Sequence, residues 1–270
     1  MKLSIVIVTH NRLEELCELL ETIAGQSVKA NEIVIVNDAG ESVETVKALY
    51  NELPITILNL KENVKHVRAR NEGVKQASGD VIMLFDDDDL MTPGHIERML
   101  KALESSDFAY SDAEIVSFQD KNKTRYPVSR KLFAYTFDIE EMRKFSTYVP
   151  SGSVYKRSIH EKIGAFDPEM HNYWDWDFFL RVAKEGFTIK RVPTASVIYA
   201  FSDNGDNQSA ELHGARENYL KALCEKHQLG DLPTKNFAVL LEEPAVKKRE
   251  SASERVWDGE PVKSRLVDGQ

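Results

Sequence analysis

Four aspartates in a row, Asp86-Asp87-Asp88-Asp89, follow directly on the apolar run VIMLF at residues 81–85. Carboxylates ~4–7 Å apart repel by about 2–4 kcal/mol at an effective dielectric near 20, and several such pairs coexist in this stretch. Water, basic side chains, partial protonation or a bound divalent cation must offset that repulsion. Hard cations such as Mg²⁺ or Mn²⁺ take oxygen ligands, and Mg²⁺ sites commonly combine one or two carboxylates with substrate phosphates. The competing reading is a solvated acidic turn capping the helix that begins near Pro93, because Asp and Pro both favour helix starts.

The elements that carry these groups decide between the two. Residues 4–8 (SIVIV), 32–36 (EIVIV), 55–60 and 81–85 read as strands, three of them near-continuously apolar, as expected for strands covered on both faces. Between them Leu13, Leu16, Cys17, Leu20 and Ile23 recur at helical spacing, Val43, Val46 and Leu49 suggest a second helix, and residues 67–77 and 96–103 supply two more. The order βαβαβαβα predicts an open α/β sheet, which binds ligands outside the carboxyl ends of its strands. Thr9-His10-Asn11-Arg12, Asn37-Asp38 and the four aspartates all stand at such ends. That shared edge favours the cation reading. No G-x-G-x-x-G follows the first strand and no G-x-x-x-x-G-K-[ST] occurs, so dinucleotide oxidoreductases and P-loop ATPases fall in rank.

Composition sets outer bounds. With 270 residues, 42% hydrophobic, the chain can bury a sizeable core as one large domain or two small ones. A net charge of −9, from 35 basic and 44 acidic residues, argues against nucleic acid as the main partner. The two cysteines, Cys17 and Cys224, lie far apart without metal-like spacing and read as reduced, which suits the cytoplasm. No stretch approaches the roughly 18 apolar residues of a spanning helix, so any membrane contact would be peripheral.

Taken in order, SIVIVTHNR, EIVIVNDAG, VRARNEGVKQASGDVIMLFDDDD, and KIGAFDPEM followed by WDWDFFLRVAKEG resemble the inverting family 2 glycosyltransferases of GT-A fold, over residues 3 to 200. The resemblance implies a mixed, mostly parallel central sheet flanked by helices, with a C-terminal helical extension. It implies a GT-A domain over 1–230, with a nucleotide-binding half (1–110) and an acceptor-binding half (111–230), followed by a polar tail or oligomerisation extension at 231–270.

Residue by residue, it implies that Thr9, Asn11 and Arg12 lie by the nucleotide and that Asp38 accepts a hydrogen bond from a uracil-like base, if the donor is a UDP- or dTDP-sugar. Arg68, Arg70 and Asn71 belong to the segment after the third strand, where a guanidinium could balance the diphosphate or the aspartates, a solvated helix face being the plainer alternative for either arginine. Asp88, five residues before Pro93, matches the metal-binding carboxylate, for Mn²⁺ or Mg²⁺; Asp86 and Asp87 would contact ribose or support the site. Ser151 and Gly152, in VPSGSVY, and Trp174 would meet the acceptor, Gly152 by close backbone approach, although a glycine in a strand more often marks only a bulge, and Trp174 by stacking where family members often have Glu.

Asp177 stands four residues before Arg181, a spacing that permits an ion pair, which leaves Asp175 as the match to the base that takes the acceptor proton. Burial beside Trp174 and Trp176 would raise its proton affinity; the alternative is that both aspartates only cap the helix. His10, His66 and His95 read as surface or packing residues, and Asp203, Asn204 or Asp206, in the polar loop SDNGDNQSA, stand in for a further metal ligand.

In the second half, residues 108–111, 113–118, 149–155, 188–192 and 195–201 read as strands, KNKTRYP as a polar turn, and 211–227 as a helix. The charged segment after Leu241 predicts either disorder or docking on a partner subunit, the second of which would give a homo-oligomer through this tail. The function implied is transfer of a sugar from a nucleoside-diphosphate sugar to a hydroxyl of a glycan or small acceptor, at the inner face of the membrane if peripheral. The alternatives are a sugar nucleotidyltransferase, whose glycine-rich basic loop after the first strand THNRLEE does not supply, and a non-catalytic glycan-binding module.

Overall fold

A computed structural model describes residues 1–201, 214–235 and 237–268. The first half alternates as expected: β1 (Leu3–Thr9), α1 (Leu13–Ala24), β2 (Glu32–Asn37), a short α2 (Val46–Leu49), β3 (Ile55–Asn59), α3 (His66–Gln76), β4 (Val81–Asp86), a two-residue β5 (Leu90–Met91) and α4 (His95–Leu103). There follow β6 (Phe108–Lys121), β7 (Thr124–Phe133), α5 (Ile139–Met142), β8 (Val154–Lys156), α6 (Ser158–Ile163), a 3-10 turn over Pro168–Tyr173, α7 (Trp174–Lys184) and β9 (Ile189–Ala200). The chain closes with α8 (Ala215–His227), α9 (Phe237–Glu242), α10 (Pro244–Lys247), β10 (Glu254–Arg255) and α11 (Arg265–Asp268).

One mixed sheet runs β10-β9-β6-β8-β4-β1-β2-β3, with β5 on β9 and β7 on β6. The run β4-β1-β2-β3 is parallel, and β8 enters antiparallel between β4 and β6. The apolar strands β1, β2 and β4 are buried almost throughout, whereas β3, the less apolar one, is the half-exposed edge. Two cores result. Leu16, Cys17, Leu20 and Ile23 of α1 pack with Ile5, Ile7 and Ile35 on one face, and Val67 and Val74 of α3 pack with Val6, Val34 and Val36 on the other. The Cβ atoms of successive strand residues point to opposite faces, which is why alternate β1 residues serve different cores.

Three expectations are corrected. The polar turn at KNKTRYP is confined to Asn122 and Lys123, both at positive φ (52° and 60°), as a two-residue hairpin turn requires; Thr124 onward is strand. The strand pairs expected at 108–118 and 188–201 are single long strands, each broken in register where the gap was read, at Ser111/Asp112 against Val192/Ala195, an irregularity of β-bulge type. The segment expected as a strand over 149–155 is strand only from Val154, because residues 150–152 form a turn with Gly152 at φ +74°.

The C-terminal segment is not a disordered tail. Val246 is fully buried, Arg249 donates to the Thr136 carbonyl and Thr147 Oγ1, β10 pairs in parallel with β9, and Arg265 bonds the Leu49 carbonyl (2.8 Å) and pairs with Glu52 (2.5 Å) over the Tyr50 ring. It docks on its own chain. Charged side chains lying along an apolar strip by their stems let a segment poor in large hydrophobes pack this way. Among the described residues no helix is long and apolar enough to cross a membrane, and both cysteines are buried and free.

Candidate active site

Parallel register brings the carboxyl ends of three strands level: Thr9 stands opposite Asn37, and Val8 opposite Asp86. The loops beyond them interlock. Asn37 Nδ2 holds the Glu41 carbonyl (2.9 Å), Asn11 Oδ1 accepts from the Glu41 N–H (2.7 Å), and a Cβ on Gly40 would come within 2.8 Å of the Asn11 nitrogen. That close approach needs glycine. Asp38 is fixed in turn, its N–H on the Thr9 carbonyl (2.9 Å) and its Oδ1 accepting from the Val64 N–H (2.8 Å).

These ends open into a cavity of about 580 Å³ lined by Thr9, Arg12, Asp38, Asp86, Asp87 and Asp88 from the strand edge, and by Trp174 and Asp175 from the start of α7. Eight of the expected site residues thus line one cavity. Arg70 joins the two groups: Nη2 pairs with Asp86, and the guanidinium lies 4.3 Å from the centre of the Trp174 ring. Trp174 is only 6% exposed, so the indole face expected for an acceptor sugar is taken by Arg70.

The other five stand outside the cavity lining, and each has a task in the frame. Asn11 ties the β1 and β2 loops at φ 58°, in the left-handed region that Asn tolerates. Asn71 exchanges two hydrogen bonds with the backbone of Phe166 (2.8 and 3.0 Å), anchoring α3 to the KIGAF turn. Arg68 is a solvated residue facing Glu169 at 3.6 Å. Ser151 Oγ accepts from the Asp86 N–H (3.0 Å), and the Gly152 N–H donates to the Leu84 carbonyl (2.7 Å) while a Cβ there would strike Val197 and His95. These two support the end of β4 from behind.

The aspartates are unequally balanced. Arg12 pairs with Asp88 and stands 3.5 Å from Asp87; Arg125, held by Glu18 at 2.6 Å, donates to the Asp88 carbonyl (2.8 Å). Burial, with the Asp88 charge adding to it, pushes Asp87 up to about 8, and burial raises Asp88 as well. Asp89 points inward: Oδ1 accepts from the Ala200 N–H (2.9 Å), Oδ2 is buried without a hydrogen bond among the described residues, and burial raises it well above the carboxylate range. The cluster holds more carboxyl groups than Arg12 and Arg70 can pair, an excess that burial meets by raising Asp87, Asp88 and Asp89 toward the protonated form.

That excess fits a cation. Among the described residues no group of three His, Cys, Asp or Glu side chains is arranged to hold a metal, so an ion here would take one or two carboxylates, Asp88 first, and fill its remaining positions with ligand oxygens, as Mg²⁺ sites do. Asp203, Asn204 and Asp206 lie outside the described residues.

Asp175 is pushed up to about 6 by burial, while Arg70 opposes the rise. Its neighbour Asp177 is fully buried and bound by Arg181 (2.9 Å), Lys226 (2.7 Å) and His227 (2.8 Å), the structural role expected of it. Of the histidines, His95 bridges Ser196 Oγ and the Gly152 carbonyl and is a packing residue, but His10 and His66 line the cavity. Also unexpected in the wall are Tyr148, Tyr173, Lys144, Arg216 and Lys235. Arg70 carried a readable signal, because it lies three residues from both Val67 and Gly73 on the buried face of α3, whereas Arg68 does not.

The sequence model described as Glycosyl transferase family 2 matches residues 4–164, more than half of the chain. A glycosyltransferase of Bacillus subtilis, YwdF, itself described as uncharacterized, is 69% identical over 98% of this chain and 99% of its own length. The amylovoran biosynthesis glycosyltransferase AmsE of Erwinia amylovora is 27% identical over 70% of this chain and 73% of its own. In fold, residues 1–349 of TarS from S. aureus, in a crystal structure with UDP-GlcNAc, superpose with a TM-score of 0.66 at 18% identity, over 84% of this chain and 66% of that one. The chain therefore belongs to glycosyl transferase family 2, has the GT-A fold, and is a glycosyltransferase.

Proposed function

We propose that the chain is an inverting, metal-dependent transferase that moves a sugar from a UDP- or dTDP-sugar to a hydroxyl of a glycan or small acceptor, with Mn²⁺ or Mg²⁺ as cofactor. The observation that carries this is the convergence of Asp38, Asp88 and Asp175 on one cavity, the first two from strand ends and the third from the start of α7. The TarS crystal structures with UDP-GlcNAc and with UDP supply a precedent for the donor class in this fold. The buried free cysteines accord with a reducing compartment such as the cytoplasm.

In this reading Asp38 accepts the N–H of the pyrimidine base, and Arg12 moves from Asp88 toward the diphosphate, its bidentate geometry suiting phosphate oxygens. Asp88 would hold the divalent cation, which would supply neutralisation of charge on the departing nucleoside diphosphate. Asp175, with its proton affinity raised to about 6, is ionised at neutral pH yet basic enough to accept a proton. The acceptor oxygen attacks the anomeric carbon as its proton passes to Asp175; the new C–O bond forms, the C–O bond to phosphate breaks, and its electron pair leaves with the nucleoside diphosphate. Attack opposite the leaving group inverts the anomeric centre.

The test is a screen of UDP-, dTDP- and GDP-sugars with Mn²⁺ for transfer and slow donor hydrolysis, with the product anomer assigned by NMR. Inverted product, absent with Asp175→Asn, supports the assignment; retained configuration, or neither transfer nor hydrolysis by the wild type, contradicts it.

A further inference from the structure

The ionisable groups that line the cavity divide by element. The first-half segments contribute Asp38, Asp86, Asp87 and Asp88 against Arg12, Lys65 and Arg70, whereas the wall built by residues 140–240 contributes Lys144, Arg216 and Lys235, with Asp175 its one carboxylate among the described residues. In a chain of net charge −9 such a basic wall is not a consequence of composition.

Two of the three cations, Arg216 and Lys235, are built into the wall, and Lys144 stands at its exposed rim. Arg216 is 6% exposed; its Nε donates to Tyr173 Oη (3.1 Å) and its Nη2 to the Lys235 carbonyl (3.1 Å). The Lys235 ammonium lies 4.1 Å from the centre of the Phe145 ring. Lys235 pairs with Glu243 (2.7 Å) and Lys144 with Glu141 (2.6 Å), but neither glutamate lines the cavity, so the cationic side is the one presented to it. Tyr173 stands two residues before Asp175, and Tyr148 donates its hydroxyl to the Asp175 carbonyl (2.6 Å), so this wall and the base share one support.

We propose that the acceptor carries an anionic group, a phosphate or a carboxylate, held by Arg216, Lys235 and Lys144 in the wall beside Asp175. This deepens the reading above and rests on it. The donor diphosphate goes to the strand edge, where Arg12 and the aspartates stand, so two anionic partners occupy separate parts of one cavity. Arginine and lysine on a rigid aromatic support suit an anion because donors are aimed in advance and the surrounding low dielectric strengthens the attraction.

The experiment uses a matched set on one scaffold. Glucose, glucose 6-phosphate and glucuronate are titrated into the full chain loaded with UDP and Mg²⁺, and the indole N–H resonances are followed by NMR. Trp174 and Trp176 line the cavity, and Trp257, packed on Phe118 and Arg130, is the internal control. At least one anion binds about tenfold more tightly than glucose, shifts Trp174 or Trp176 and not Trp257, and loses about tenfold in Lys235→Met and in Arg216→Met. The tighter of the two anions identifies phosphate or carboxylate. Lys144→Met, at a largely exposed position, supplies a variant that folds if Arg216→Met does not. Equal binding of glucose, no saturable binding of either anion, or an anion preference unchanged in Lys235→Met and Lys144→Met overturns the proposal. Failure of UDP to bind instead contradicts the donor reading, and the lysine variants then still report whether the anion sits on this wall.

Discussion

Arg70 and Trp174 are stacked at 4.3 Å while the same guanidinium pairs with Asp86, so a single side chain from α3 joins the end of β4 to the start of α7. The donor-side acid and the helix that presents Asp175 are thereby held at one spacing. Removing the guanidinium leaves Asp86 unpaired in a half-buried position and releases Trp174. Arg70→Leu is expected to lower kcat/KM for transfer by about 10²-fold, the size of losing one aimed electrostatic group. Arg70→Lys should recover little of it, because an ammonium cannot both pair and stack as a planar guanidinium does. Steady-state kinetics with donor and acceptor varied separately check this, and wild-type activity in Arg70→Leu would remove the link.

Asp175 gives a pH dependence with a definite sign. A general base works as the carboxylate, so the transfer rate should fall as pH drops through about 6 and stay level above it. Asp175→Asn should lose about 10²–10⁴-fold at every pH, the usual worth of a positioned base. A wild-type profile flat down to pH 5 would mean that Asp175 is not the titrating group.

Asp87 ties stability to pH in the opposite direction from an ordinary salt-bridged carboxylate. Its folded value of about 8 exceeds the ordinary 3.8, so below about pH 4 both states hold the proton, and between there and about 8 the unfolded chain has released a proton that the fold retains. The contribution of Asp87 is therefore complete at low pH and is lost as pH rises to 8. Thermal melts of wild type and Asp87→Asn should diverge across that window, with the variant gaining relative stability toward pH 8. Parallel curves would show that Asp87 ionises normally in the fold.

The first hundred residues were legible because their burial is two-sided and periodic: SIVIV and EIVIV can only be covered strands, and Leu16, Cys17, Leu20 and Ile23 can only be one helix face. The acidic edge was legible because polar groups recur where such strands end. Arg68 and Arg70 were not separable by type, only by the face of α3 that the sheet covers. The roles read for Ser151 and Gly152 failed on a different ground: a turn behind β4 uses the same small residues as a surface that admits a sugar. The wall from Lys144, Arg216 and Lys235 comes from three separate segments, the first of them far from the other two in the chain, and no local pattern joins them.

The C-terminal segment misled for a physical reason as well, since its few large apolar residues, among them Val246, Trp257, Val262 and Leu266, pack on the main core. Val246→Ala is expected to cost about 2 kcal/mol in denaturant unfolding, as for a fully buried aliphatic side chain cut back to Ala. A tail that did not pack on the chain would leave stability unchanged.

Calorimetric titration of UDP and GDP, with and without Mn²⁺, into wild type, Asp88→Ala and Asp175→Asn tests the donor site most directly. UDP should bind more tightly than GDP and more tightly with Mn²⁺ than without; Asp88→Ala should abolish the Mn²⁺ effect, and Asp175→Asn should leave it intact. UDP affinity indifferent to Mn²⁺ in the wild type, or a Mn²⁺ effect that survives Asp88→Ala and disappears in Asp175→Asn, would contradict the account.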